Sequence, residues 1–148
     1  GRGGVVSQAV KLLVHLPPVA SRISETVLAQ LDAARDTGAQ FLRAMLTELR
    51  EQPLAHTGQL LERWRDRPEH ARLQQLATQE VLIADEHAAL TELNQAVGRI
   101  ALAEYTQRYD ELLAKSSSSD LSQNEQAELL DIAAAMHELR VMAQPSRN

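Results

Sequence analysis

The histidines of this chain, His15, His56, His70, His87 and His137, are scattered singly. Zinc-assisted hydrolysis on a helix needs two histidines one turn apart with a glutamate between them, and di-iron bundles need Glu-x-x-His on facing helices. Neither spacing occurs. There is no cysteine, so thiol nucleophiles, thiolate zinc sites and disulfides are excluded, and a reducing cytoplasm fits. A Gly-x-x-x-x-Gly-Lys phosphate loop and a Gly-x-Ser-x-Gly elbow are both missing. Asp85, Glu86 and Glu92 open a helical stretch, where acidic groups favour the helix dipole rather than acting as an acid–base pair. We therefore assign no catalytic residue, metal ligand or cofactor. Arg63, Arg65, Arg67 and Arg72 surround Trp64 as in a nucleic-acid grip, but Glu62, Asp66 and Glu69 dilute the charge. These side chains are expected to form a solvated helix face with Trp64 packed beneath it.

The elements that must position any site are helical. In 148 residues, 44% are hydrophobic and only 3% aromatic, a composition of one domain or two coupled subdomains packed through aliphatic side chains. Val6, Val10, Leu13 and Val14 mark a helix over about 5 to 16, stopped by Pro17-Pro18. A short amphipathic piece follows from Arg22 to Leu31, then turn formers from Asp32 to Gly38. Thr37 and Gln40 have capping-box spacing ahead of Phe41, Leu42, Met45, Leu46 and Leu49, in a helix ending near Pro53. Thr57 is placed to cap a helix carrying Leu60, Leu61 and Trp64 up to Pro68, and Leu73, Leu76 and Leu82 mark another.

From about 85 to 115 there is neither proline nor a turn cluster, which predicts one long helix. Leu90, Leu93, Val97 and Ile100 form one apolar stripe. Ala101, Leu102, Tyr105, Tyr109 and Leu112 form another, rotated by roughly 110°. One helix thus serves two environments: its first half completes an amino-terminal bundle (1–100) and its second half enters a carboxy-terminal hairpin (101–148). Gly98 lies at the changeover, as a point of close packing or a hinge. Ser116 to Ser119 reads as the hairpin loop. Ser122 and Glu125 form a second capping box, opening a helix with the stripe Leu129, Ile132, Met136, Leu139 and Met142 and a frayed end at Pro145. The fold class is all-α, a helical bundle joined by a long helix to a helical hairpin.

The net charge of −5 disfavours nonspecific phosphate binding, and no apolar run reaches the roughly 18 residues of a membrane span. A protein partner is the better expectation. Two helices alone bury only part of two apolar stripes. Tyr105, Tyr109, Leu112, Met136, Val141 and Met142 have the aromatic and methionine character of adaptable interfaces, flanked by Arg108, His137 and Arg140. They are either hairpin core or partner surface. The alternatives in other classes are a helical single-stranded nucleic-acid-binding module and a small helical ligand-binding protein. The glycine-rich start, Gly1-Arg2-Gly3-Gly4, reads as a scar ahead of an excised domain.

In order, the segments AVKLLVHLPPVASRI, FLRAMLTELREQPLAHTGQLLERWR, ALTELNQAVGRIALAEYTQRYDELLAK and LSQNEQAELLDI resemble the carboxy-terminal domain of bacterial replicative primase of the DnaG type, over nearly the whole chain. The stretch Thr57 to Glu62 and the Leu121-Ser122-x-x-Glu125 turn carry most of this resemblance. It implies a noncatalytic domain that recruits primase to the amino-terminal domain of the DnaB-type hexameric helicase at the fork, in the bacterial cytoplasm. In that family the hairpin supplies most of the binding and the bundle helps to stimulate the helicase. The Ser116 to Ser119 run and the alanine- and methionine-rich last helix depart from the family pattern. Neither nucleic acid nor membrane is an expected partner, and an exposed hairpin makes weak self-association an expectation.

Overall fold

The computed structural model describes residues 2 to 143; the end expected at Pro145 lies outside them. Within them the chain forms seven α-helices and one 3-10 helix: α1 (Arg2–His15), the 3-10 helix (Pro17–Arg22), α2 (Glu25–Ala29), α3 (Thr37–Glu51), α4 (Thr57–Arg63), α5 (His70–Ala77), α6 (Glu86–Ser116) and α7 (Gln123–Ala143). Helix α1 is buried on several sides, through Val6, Ala9, Val10, Leu12, Leu13 and Val14, because α3, α5 and α6 all pack against it. Pro17-Pro18 ends it as expected, and the chain continues as the 3-10 turn.

The caps differ in part from expectation. Asp36, not Thr37, caps α3, its Oδ2 accepting from the Ala39 amide (3.0 Å), while Gln40 donates back to the Ala34 carbonyl (3.1 Å). A carboxylate one residue earlier outcompetes the hydroxyl for the orphaned amides. Helix α4 starts at Thr57, but the Thr57 hydroxyl donates to the Val14 carbonyl (2.8 Å), tying α4 to the end of α1. Gln59 Oε1 takes over the local capping, accepting from the Ala55 and His56 amides (2.9 and 3.3 Å). Leu82 does not extend α5: the chain from 78 to 85 is non-helical, Val81 and Ile83 turn inward, and Leu82 is 88% exposed.

Asp85 caps α6 through Oδ1 and the Ala88 amide (2.8 Å), and the helix then runs unbroken for 31 residues. Its buried residues change face along its length, from Ala89, Leu93, Ala96, Val97 and Ile100 to Ala101, Glu104 and Leu112. The apolar side chains accordingly gather in two clusters. A large one runs from Val6 to Ile100 and includes Trp64, only 2% exposed. A small one consists of Leu112, Ile132 and Met136, with Leu102, Tyr105, Tyr109, Leu121 and Leu129 against it. At Gly98 the helix is continuous and an added Cβ would meet no atom within 4 Å, so close packing is not the reason for glycine there.

Candidate functional site

The hairpin is built from its turn outward. Ser122 Oγ accepts from the Glu125 amide (3.1 Å) and Glu125 Oε1 from the Ser122 amide (3.0 Å), the reciprocal box that starts α7. Lys115 at the end of α6 reaches Glu125 Oε2 (2.5 Å). This ammonium and the Ser122 donors hold the Glu125 carboxyl down at about 2. Two turns back along α6 and one turn on along α7, Arg108 forks onto Glu128 through Nε and Nη2 (2.7 and 2.8 Å). This charge-assisted pair raises the Arg108 pKa and lowers that of Glu128. It ties α7 to α6 in antiparallel register, with Ile132 and Met136 packed against Leu112 on the inner face of α6.

That register separates the expected contact residues into two groups. Leu112 (1% exposed) and Met136 (7%) lie inside the hairpin core, and Tyr105 and Tyr109 pack half-buried against it. Arg108 is occupied by Glu128 and, at 3.4 Å, by Glu111. His137, Arg140, Val141 and Met142 are exposed. Met142 therefore leaves the inner stripe expected for α7, and its sulfur lies 3.9 Å from Gln30 Nε2 of the bundle.

Sequence reasoning missed Leu130, 73% exposed, and Leu113, 43% exposed. Leu130, Ala134, His137 and Val141 recur at intervals of four, three and four residues, so α7 carries a second apolar stripe on its outer face. Asp131 and Glu138 flank this stripe on one side and Arg140 on the other. The stripe was legible in the sequence, but the inner stripe at similar spacing masked it. Glu104 was also missed: it occupies a core position on α6 at 6% exposure, where residue type alone predicts a solvent-facing side chain.

The arginines around Trp64 are engaged. Arg67 lies 4.6 Å above the indole and pairs with Glu48 (2.7 Å), which raises its pKa; Arg63 donates to the Gln52 carbonyl; Arg65 pairs with Glu62; Arg72 donates to Gln75. His15 Nε2 lies 3.2 Å from the Leu76 carbonyl. Among the described residues no group of three His, Asp or Glu side chains is placed to hold a metal ion, and no helix is long and apolar enough to cross a membrane.

Comparison with known proteins bears on the family and the fold. The sequence model of the family described as DNA primase DnaG DnaB-binding matches residues 6–132, from α1 to the middle of α7. The solved C-terminal domain of DnaG primase from Vibrio cholerae is similar in structure, with a TM-score of 0.64 at 26% identity over 87% of this chain and 96% of that one. A search of curated proteins finds no match.

Proposed function

This chain belongs to the DnaB-binding domain family of DnaG primase, and we propose that its hairpin docks on the amino-terminal domain of the replicative hexameric helicase. It is a noncatalytic interaction domain. The observation that carries the placement is the outer stripe of α7, where Leu130, His137 and Val141 stand exposed on a helix already anchored by its inner face. Arg140 flanks this surface, whereas Tyr105 and Tyr109 pack on the hairpin core and Met142 lies beside Gln30 of the bundle, so the docking surface is centred on Leu130, His137 and Val141. Apolar side chains ringed by charge on a rigid helix suit a partner that supplies a matching apolar ridge.

Among the described residues, those up to 100 act as the bundle and those from 101 to 143 as the hairpin. Tethering through the hairpin makes primer synthesis local to the fork, at effective concentrations on the order of millimolar for a short linker, so a modest affinity suffices. Stimulation of the helicase by the bundle requires that the bundle bind one helicase conformation more tightly than another. The setting is the bacterial cytoplasm and nucleoid, with no direct nucleic-acid contact by this domain and weak self-association of free chains through the same stripe.

Calorimetric titration of the full chain into the amino-terminal domain of the cognate helicase tests this reading, with the double variant Leu130→Asp/Val141→Asp alongside. Both residues are exposed, so the variant folds. Saturable binding by the natural chain, lost in the variant, is the expected result. Equal binding by both moves the interface off α7.

A further inference from the structure

Glu104 is the one buried charged side chain among the described residues, and neither the hairpin core nor the outer stripe of α7 explains it. Its two carboxylate oxygens reach a different part of the molecule. Oε2 accepts from the Arg35 amide (3.0 Å) and Oε1 from the Asp36 amide (3.2 Å). Those amides belong to the turn between α2 and α3, which is held in the bundle by Ala34, a member of the large apolar cluster. Asp36 is the N-cap of α3, so its amide has no partner within the helix, and the positive end of the α3 dipole favours an anion there. Glu104 lies one turn past Ile100, the last α6 residue of the bundle cluster. It is where the part of α6 that carries the hairpin turns back to grip the bundle.

Outside it runs a second, solvated layer. Arg35 Nη2 bridges both oxygens of Glu111 (3.2 Å each), and Arg108 joins Glu111 to Glu128 on α7. Arg35 holds the Glu111 carboxyl below its usual range. The turn, α6 and α7 are thereby linked in one charged chain. Its members are not equal. Arg35 and Glu111 are about half exposed, where an ion pair contributes little and is screened by salt, whereas the Glu104 bonds are shielded from water.

We propose that Glu104 is a positioning residue that latches the hairpin to the bundle and sets the angle at which the two subdomains face a partner. Six residues upstream, Gly98 sits in open space and lets α6 flex when the latch is released. The outer ion pairs trim the orientation; the buried carboxylate defines it. This inference concerns the free chain and stands whether or not the hairpin is the helicase contact.

The test is a spin-label distance measurement in the full chain, which has no native cysteine to mask. Cysteines at Gly58 in the bundle and Ser118 at the hairpin tip, both exposed, report the angle. A second pair at Ala114 and Ala127, both on the hairpin, reports its internal geometry. The natural chain is expected to show a single narrow distance for the first pair, and Arg35→Ala to leave it nearly unchanged. Glu104→Met keeps the length of the side chain and removes both acceptors; it is expected to lose the narrow distance of the first pair while the second pair keeps its own. If that variant fails to fold, Glu104→Gln, which retains one acceptor oxygen, must shift or broaden the first distance. An unchanged first pair in the folded variant overturns the proposal. So does equal broadening of both pairs, which would make Glu104 a support of the hairpin alone.

Discussion

Replacing Ile132 by alanine should open α7 without loosening the bundle. Ile132 is 5% exposed and shares the hairpin core with only two other buried side chains, Leu112 and Met136, whereas the bundle cluster holds over twenty. Removing three buried carbons forfeits about 2.4 kcal/mol of transfer free energy at ~0.8 kcal/mol per group. The cavity adds to this, but so small a cluster near solvent relaxes easily, which puts the total at about 2–3 kcal/mol. At about 1.4 kcal/mol per factor of ten, the opening equilibrium of α7 rises roughly 30- to 150-fold. Hydrogen exchange followed by mass spectrometry reads this directly, because amides exchange through local opening as well as through global unfolding. Peptides from 123 to 143 should lose protection by that factor, and peptides from α1 and α3 should not change. Equal loss in α1 and α3 would show one cooperative unit and refute the division into two cores, and an α7 effect below about tenfold would refute the burial arithmetic.

Other expectations rest on single contacts. Gly98→Ala meets no neighbouring atom and gains helix propensity of about 1 kcal/mol, so the melting temperature should rise by about 3 °C in a calorimetric scan. The same variant should not broaden the bundle-to-hairpin distance, and a fall in melting temperature would mean that α6 needs glycine for a conformation other than the one described. The Glu125 carboxyl is held at about 2, against an ordinary value of 4.5. A depressed carboxyl contributes stability above its unfolded value and loses it as pH falls toward the folded one. The first turn of α7 should therefore fray between about pH 4.5 and pH 2, seen as falling protection of amides 123 to 127. Lys115→Ala should move that loss to higher pH, since the ammonium is the largest cause of the shift.

How much of this was legible in the sequence depends on the range of the interaction. The long helix over about 85 to 115 is observed as Glu86–Ser116, since an uninterrupted run of helix formers between a cap and a serine turn is a local property. The face change near residue 100 and the Ser122–Glu125 box were equally visible, because both involve residues within one or two turns of each other. The caps at 37 and 57 were misassigned for two different reasons, one local and one of range. Asp36 competes locally for the same amides, and Thr57 was drawn away by the carbonyl of Val14, 43 residues earlier. Leu82 fitted a helical spacing but fell in a segment whose neighbours Val81 and Ile83 pack inward on the bundle.

The primase-like family and the absence of catalytic motifs were legible because they reside in residue types and their order. Which α7 residues turn outward was not, because α7 carries apolar side chains on two faces and only its packing against α6 decides that Ile132 and Met136 turn in while Leu130 and Val141 turn out. Glu104 is the sharpest case. Read alone it is a surface glutamate, and it becomes a buried anchor because the fold brings two unpaired amides to it from 68 and 69 residues away. Helix identity follows from neighbours along the chain, whereas the value of a buried charge follows from what the chain brings beside it.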